Sequence, residues 1–298
     1  MDNMSDLAFF SQLAKAASMA SAAQLMGVTP STVTKRLAQL ERRLCVRLMH
    51  RTTRRMSLTQ EGELFLSEGG RILDELRLLE DTLGGAQASP RGLLRVHATL
   101  GFGRRHIGPA VLDFANRYPE VSVQLQLGDR PVNLVGEGFD VAIHVGELPD
   151  ARLTARRIVR NTRVLCASPD YLARAGSPAR PAELHSHQCI VLRQSDETFG
   201  VWHLNAGARN ESVKVDGDLT TNDGEVALDW ALRGQGILMR STWNTAQYLR
   251  SGQLHRVLAD WSLPPADIMA VYPTKQHLSA KTRAFVDHMV QAFEEKVF

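Results

Sequence analysis

The chain has 298 residues, of which 44% are hydrophobic and 22% are charged; this is typical of a globular protein and long enough for two or more domains. No run approaches the eighteen or so apolar residues of a membrane helix, and no export signal is recognisable, so we expect a soluble, cytoplasmic protein with no membrane contact. Cys45, Cys166 and Cys189 match neither a zinc nor a redox CxxC spacing, so we expect buried thiols and no metal or other cofactor; a peroxide-sensing pair is the alternative.

The net charge of +3 is distributed unevenly along the chain. The first sixty residues carry nine Lys and Arg against three Asp and Glu, a net charge of +6. The remaining 238 residues carry 26 basic and 29 acidic groups, a net charge of −3. A polyanion would therefore bind at the N-terminal end.

The first sixty residues predict three helices followed by a β-wing. Apolar spacings of three and four predict a first helix over 6–17, and Ser18 and Gly27 are suited to cap a short second helix over 19–26. Thr29 is suited to cap a third helix, with Pro30 at its first position. The apolar residues that repeat every three or four positions on its buried side are Val33, Leu37, Leu40 and Leu44. The Thr- and Arg-rich segment 46–58 predicts a short β-wing. This order is typical of a winged helix-turn-helix.

The third helix presents polar residues where a recognition helix contacts base edges in the major groove. We predict DNA contacts from Ser31, Thr32, Thr34, Lys35 and Arg36, with Thr34 and Lys35 as the leading base-reading residues. Taken alone, these residues could equally form a solvated helix face.

The residues of the wing favour DNA binding over a plain solvated surface. Arg can enter a narrow minor groove and Thr can reach phosphates, so we predict contacts from Arg51, Thr52, Thr53, Arg54 and Arg55. A surface loop that is basic by chance is the alternative. We expect Arg42, Arg43 and Arg47 to contact the DNA backbone or to pair with acidic residues.

A longer helix is predicted from Thr59 to about Gly84, and its apolar seam requires a partner helix. After a linker over 84–92, short apolar strands alternate with helices, which predicts a mostly parallel α/β sheet. The predicted strands are 122–127, 141–145, 164–167, 190–192, 213–215 and 268–272, and the predicted helices are near 105–118, 132–136, 222–233 and 279–296.

The whole chain resembles LysR-type transcriptional regulators. The N-terminal motifs are Ala22-Ala23-Gln24-Leu25, 28–37, Leu40-Glu41, Arg51-Thr52-Thr53-Arg54 and Leu58-Thr59-Gln60-Glu61-Gly62; the C-terminal motifs are 130–135, 138–143 and Gly234-Gln235-Gly236-Ile237. Cys45 stands where the family usually has glycine, so we expect a costlier backbone conformation or a different turn before the wing. His144 stands where Arg is common, which weakens the expectation of a cation there.

The resemblance implies a DNA-binding domain over 1–58, a dimerising linker helix and hinge over 59–91, and a bilobal, periplasmic-binding-protein-like α/β effector domain over 92–298. Lobe I is expected over about 92–161 and 266–298, and lobe II over about 162–265. The implied partners are double-stranded promoter DNA, a small-molecule effector and further copies of the chain, assembled as a dimer of dimers.

The effector is expected in the cleft between the lobes. The loop after the first strand of lobe I offers a hydroxyl, backbone amides and two cations suited to a carboxylate, and lobe II offers polar contacts and an apolar wall. The predicted effector residues are Thr99, Gly101, Phe102, Arg104, Arg105, Ser168, Phe199, Trp202, Thr221 and Asn222. For Arg104 and Arg105 a plain surface position is the alternative, and for Phe199 and Trp202 a core position. The lobe II segments 164–169, 199–202 and 220–225 resemble a subgroup of the family associated with the hydroxy-dicarboxylates D-malate and tartrate. An aromatic or other small metabolite is the alternative effector.

Other functional classes are less well supported. No HExxH, GxSxG, phosphate-binding loop or GxGxxG motif is placed for catalysis, so we expect no enzyme activity. A cytoplasmic solute-binding module without gene control would not need the basic N-terminal end, and a nonspecific nucleoid protein would not need some two hundred residues of sensor. A solute-binding module predicts no DNA affinity and no steep salt dependence.

Overall fold

The computed structural model describes residues 3–51, 56–83, 89–130, 132–146, 153–193, 200–274 and 278–294. The chain forms two compact units, Met1–Leu93 and Leu94–Phe298. The predicted site residues Thr52, Thr53, Arg54, Arg55 and Phe199 lie outside the described residues. No helix in the described part of the chain has both the length and the apolar character needed to span a bilayer.

The N-terminal unit contains the predicted helices and wing. Its elements are α1 (Asn3–Ala14), α2 (Met19–Met26), α3 (Pro30–Leu44), β1 (Met49–Arg51), antiparallel β2 (Met56–Leu58) and α4 (Gln60–Leu83). Helix α1 begins and ends three residues earlier than predicted. The chain must leave helical geometry before Ser18, whose extended backbone and side chain cap α2.

Local capping signals and an apolar core fix this arrangement. Gly27 ends α2 in the left-handed conformation, and Thr29 and Pro30 begin α3, as predicted. The buried core joins all four helices and the start of the wing; it contains Phe10, Leu13, Ala22, Val33, Leu37, Leu40 and Leu48, with Phe65 of α4 packed against it.

The C-terminal unit contains two five-stranded sheets. The first sheet has the order β4-β3-β5-β14-β6, with strands β3 (Gly92–Thr99), β4 (Val121–Gly128), β5 (Val141–Val145), β6 (Leu153–Val159) and β14 (Ile268–Pro273). Its helices are α5 (Leu100–Phe102), which continues through a π-helical turn (Gly103–Ile107) into α6 (Gly108–Arg117), and α10 (Ala280–Phe293).

The second sheet has the order β11-β8-β12-β7-β13. Its strands are β7 (Arg163–Ala167), β8 (Cys189–Leu192), β11 (Thr220–Thr221), β12 (Ile237–Ser241) and β13 (His255–Val257), and β9 (Val201–Ala206) and β10 (Arg209–Lys214) form a separate antiparallel hairpin. The helices are α7 (Pro169–Ala175), a 3₁₀ helix (Pro181–Ser186), α8 (Gly224–Leu232) and α9 (Thr242–Arg250).

The prediction of a mostly parallel sheet is wrong, because both five-stranded sheets are mixed. Strand β14 runs antiparallel to β5 and β6, and β7 runs antiparallel to β12 and β13, whereas β3–β5, β8–β11 and β8–β12 are parallel. The chain reaches β7 and β14 directly after crossing from one sheet to the other. No helical crossover precedes either strand, so nothing requires it to run parallel to its neighbours.

Two other predictions are also wrong. Residues 134–138 form a turn rather than the helix predicted over 132–136, because the Asn133 side chain accepts the Gly136 amide and Gly138 adopts a positive φ of 71°. Cys45 is exposed, whereas Cys166 and Cys189 are buried as predicted. The strained conformation expected at Cys45 is confirmed, since its φ is 56°.

Candidate functional site

Helix α3 exposes the residues predicted to contact DNA at its N-terminal end. Ser31, Thr32, Thr34 and Lys35 are exposed, while Val33 on the opposite face is buried. The Thr34 hydroxyl donates to the Pro30 carbonyl (2.9 Å), which leaves its lone pairs available. No described residue forms a hydrogen bond or ion pair with Lys35. This face therefore offers one unpaired cation and three hydroxyls.

Arg36 is directed toward α1 instead of this face. Its guanidinium donates to the Ser5 carbonyl (2.9 Å), lies 3.6 Å from the Asp6 carboxylate and stacks over the Phe9 ring at 4.6 Å. Asp6 is buried and also pairs with Arg43 at 3.1 Å. Arg36 therefore links α3 to α1.

A buried carboxylate positions the start of the wing. Glu41 accepts the amides of Leu48 (3.0 Å) and Met49 (3.3 Å) and pairs with Arg47 at 3.1 Å. Helix α4 approaches the same segment closely, since a Cβ at Gly62 would lie 2.0 Å from the Leu48 carbonyl oxygen. The acid pairing expected for Arg43 and Arg47 is confirmed. Of the two pairs, only that of Arg47 with Glu41 lies beside the strand that begins the wing at Met49.

The C-terminal unit contains a cavity of about 310 Å³ between its two sheets. Of the predicted effector residues, the structure brings together Thr99, Gly101 and Phe102 from the first sheet side and Trp202 and Asn222 from the second. Asn222 also donates a hydrogen bond to the Asp129 carboxylate, which lies at the end of β4. One pair of side chains therefore links the two sides of the cavity.

Four other predicted residues do not line the cavity. Arg104 and Arg105 are exposed on the π-helical turn, and Arg105 donates to Gln247 at 3.2 Å. Ser168 is buried as the cap of α7, and the Thr221 hydroxyl accepts the amide of Asp223 at 3.1 Å. These positions support neither a carboxylate contact by the two arginines nor a pocket contact by Ser168.

The cavity is also lined by three arginines that were not predicted to bind the effector, Arg130, Arg163 and Arg240. Arg130 is exposed, Arg163 is half-buried and Arg240 is only 8% exposed, and burial lowers the pKa of the Arg163 and Arg240 guanidinium groups. No carboxylate lies within ion-pair distance of either group in the part of the chain that the structure describes. The sequence signal for Arg240 was its position directly after the apolar run Ile237-Leu238-Met239, on the same strand. An arginine is rarely buried without a partner.

The Arg240 guanidinium is held in place by its neighbours. Its Nε donates to Asn244 Oδ1 (2.7 Å), and Asn244 Nδ2 donates to Glu225 Oε1 (2.9 Å). The guanidinium also lies against the Trp243 ring at 5.4 Å and packs on Gly224. Its two terminal nitrogens have no hydrogen-bond partner among the described residues. The arrangement presents a fixed, fork-shaped donor that matches a carboxylate.

Asn161 joins the segments that connect the two sheets. Its side-chain amide donates to the Ala266 carbonyl (2.7 Å) and to Ser241 Oγ (3.2 Å), and its Oδ1 accepts the Thr242 hydroxyl (3.1 Å). Trp243 packs into the core of the first sheet, with its ring 5.3 Å from Phe102. These contacts fix the base of the cavity.

Comparison with known proteins is consistent with both sites. Residues 4–63 match the model for the bacterial regulatory helix-turn-helix protein, lysR family, and residues 87–294 match the LysR substrate binding domain. The chain is 39% identical over 292 residues to the HTH-type transcriptional regulator DmlR of Escherichia coli K12, covering 98% of this chain and 95% of DmlR. It is 36% identical over 293 residues to the HTH-type transcriptional activator TtdR of the same strain, covering 98% and 94%.

Solved structures give the same result. The full-length virulence activator AphB of Vibrio cholerae has a TM-score of 0.59 and 27% identity, covering 97% of this chain and 99% of AphB. The LysR-type transcriptional regulator CrgA of Neisseria meningitidis has a TM-score of 0.59 and 29% identity, covering 98% and 99%.

Proposed function

The chain belongs to the LysR family of transcriptional regulators, and we propose that its promoter binding is controlled by a hydroxy-dicarboxylate held in the cavity of the C-terminal unit. As a family member it is a DNA-binding regulator with an effector-binding domain rather than an enzyme. The proposal concerns which residues bind DNA, which chemical class of effector binds, and how the chain assembles.

The proposed recognition surface is the exposed N-terminal end of α3. Ser31, Thr32, Thr34 and Lys35 enter the major groove, with Thr34 and Lys35 contacting bases. Arg51 and the segment 52–55 contact phosphates and the minor groove. Arg36 supports the surface from behind through Asp6 and Phe9.

The observation that carries the effector proposal is a pair of guanidinium groups in the cavity, that of buried Arg240 and that of half-buried Arg163. Burial removes hydration from both groups, and the charges of Glu225 and Asp223, neither within ion-pair distance, offset this only in part at Arg240, where Arg163 adds repulsion. An anion between the two guanidinium groups would therefore compensate their charges. A carboxylate fits the fork geometry of Arg240. The resemblance to the D-malate and tartrate subgroup supports the narrower class of hydroxy-dicarboxylates.

The proposed assembly is a homotetramer, a dimer of dimers, acting in the cytoplasm where promoter DNA is found. Helix α4 exposes Leu64, Ile72, Leu76 and Leu79, which are 64%, 44%, 36% and 55% exposed. An apolar seam on a 24-residue helix favours pairing with the same helix of a second copy. Effector binding would then change how the paired DNA-binding domains are placed and how strongly they bend the promoter.

Fluorescence anisotropy on DNA from the region upstream of the protein's own gene tests the proposal. The titrations use a salt series, with and without D-malate, tartrate, succinate and, as the aromatic alternative, benzoate. We expect tight, sequence-selective binding that weakens steeply with salt and shifts with one hydroxy-dicarboxylate. A shift with benzoate alone would replace the proposed hydroxy-dicarboxylate with an aromatic effector. No diacid effect and no diacid binding by calorimetry would refute the proposed effector class.

A further inference from the structure

Strand β3 presents His97 and Thr99 to the cavity. Leu94, Val96 and Ala98 pack into the core of the first sheet, and side chains alternate between the two faces of a strand. His97 and Thr99 therefore lie on the opposite face, and both line the cavity.

His97 is buried and held in a fixed orientation. It is 4% exposed, and its ring lies 5.5 Å from the Phe139 ring in an edge-to-face arrangement. On another side a Cβ at Gly128 would lie 2.7 Å from His97 Nε2, so only glycine leaves room for the ring there. Neither ring nitrogen has a hydrogen-bond partner among the described residues.

The two His97 nitrogens are not among the fully buried side-chain nitrogen and oxygen atoms that lack a hydrogen-bond partner in the described part of the chain. They therefore reach the cavity, where water can bind them until a ligand displaces it and must replace its hydrogen bonds. Burial also lowers the pKa of His97, with an opposing influence from Glu137, so the ring is neutral at pH 7. A neutral imidazole has one donor nitrogen and one acceptor nitrogen, and a hydroxyl group can both donate and accept. The two groups can therefore form a hydrogen bond with each other in either direction. The charged partners that a carboxylate requires are Arg240 and Arg163, on the second sheet.

We infer that His97 is a specificity-determining residue that binds the hydroxyl group of a hydroxy-dicarboxylate, while Arg240 and Arg163 hold one of its carboxylates. The inference rests on the proposed carboxylate effector. His97 cannot turn away to another partner, so a diacid without the hydroxyl leaves the imidazole unsatisfied in the complex. Thr99 is half-buried, and its side chain forms no capping hydrogen bond to α5. Water can therefore bind its hydroxyl when the ligand has no group that forms a hydrogen bond with it.

Calorimetric titration of the full-length protein with succinate and with both enantiomers of malate tests the inference. We expect the preferred malate enantiomer to bind about tenfold or more tightly than succinate. His97→Phe should bind malate and succinate equally, with succinate affinity within about threefold of the wild type. His97→Gln, which keeps a neutral donor and acceptor, should retain part of the preference. The control His255→Phe makes the same His-to-Phe replacement at an exposed histidine of β13 outside the cavity lining and should retain the full preference.

A ligand-side measurement covers the case in which His97→Phe fails to fold. Methoxysuccinate lacks the hydroxyl proton and should bind the wild-type protein about tenfold more weakly than malate. Equal binding of malate, methoxysuccinate and succinate by the wild type would overturn the role of His97 and leave the carboxylate effector intact. Preserved malate preference in folded His97→Phe would do the same. No binding of any of these diacids would refute both proposals.

Discussion

The guanidinium of Arg240 packs so closely on Gly224 that a Cβ at position 224 would lie 2.0 Å from its Nη2 and 2.1 Å from its Cζ. Gly224 is the first residue of α8 and does not need a positive φ. Glycine is required here by space rather than by backbone conformation. Gly224→Ala should therefore displace Arg240 from the cavity and weaken diacid binding at least about tenfold, while basal DNA affinity is unchanged.

Gly108→Ala is the matched control for this prediction. Gly108 is also the first residue of a helix, α6, and its added Cβ would meet only the Gly103 carbonyl oxygen, at an ordinary 3.6 Å. Both variants should be titrated with D-malate and tartrate and then with promoter DNA. Equal diacid affinity in the two variants would show that Arg240 does not hold the ligand.

The N-terminal unit was predictable because its signals are local. Thr29 and Pro30 begin α3 and Gly27 ends α2, and the apolar spacing of α3 identifies its buried face without reference to distant residues. The outward direction of Thr34 and Lys35 followed from the same spacing. Arg36 did not follow, because its partners Asp6 and Phe9 come from another helix.

The cavity was only partly predictable. The loop at Thr99–Phe102 could be placed from the strand and glycine pattern, but its neighbours Arg104 and Arg105 point to solvent on a π-helical turn. Arg240 and Arg163 lie on β12 and β7, which pair in a direction that sequence order does not specify. His97 was not predicted, because it lies within a mostly apolar strand and no local pattern marks it as a cavity residue. Long-range strand pairing, not local propensity, brings these side chains together.

Glu41 should be essential for the stability of the N-terminal unit. Its carboxylate accepts the amides of Leu48 and Met49 inside the protein, so Glu41→Ala leaves two buried donors without an acceptor. We expect a loss of about 2–4 kcal/mol in the free energy of unfolding of this unit. Because these amides position the wing, DNA affinity should fall even at temperatures where the variant is folded. Urea unfolding followed by circular dichroism, with DNA anisotropy, provides the measurements.

Arg47→Ala separates the amide contacts from the ion pair. The Arg47 side chain is 66% exposed, so its pairing with Glu41 should contribute no more than about 1 kcal/mol to the free energy of unfolding. The variant leaves the Leu48 and Met49 contacts in place. If Arg47→Ala were as destabilising as Glu41→Ala, the ion pair rather than the amide contacts would be the main role of Glu41.

Cys45 ends α3 in a conformation that favours glycine. Its φ of 56° is in the left-handed region, where a Cβ crowds the backbone. Cys45→Gly should raise the free energy of unfolding by about 0.5–1 kcal/mol, the relief of strain exceeding the added freedom of the unfolded chain. Cys45→Ala keeps the Cβ and should leave stability nearly unchanged. A gain in the alanine variant equal to that in the glycine variant would assign the effect to the thiol rather than to the backbone.

The three thiols should differ sharply in reactivity. Cys45 is exposed, whereas burial raises the pKa of Cys166 and of Cys189 to about 12. Only the thiolate attacks a disulfide reagent, and at pH 8 the two buried groups are protonated as well as inaccessible. The native protein at pH 8 should therefore release one equivalent of thionitrobenzoate rapidly from Ellman's reagent, and the Cys45→Gly variant should release none on that timescale.

Unfolding in guanidinium chloride should expose three thiols in the wild type and two in the variant. Rapid release of even one equivalent from the native Cys45→Gly variant would mean that the second sheet, which contains Cys166 and Cys189, opens readily enough to be attacked. Its core would then not hold Arg163 and Arg240 rigidly in the cavity.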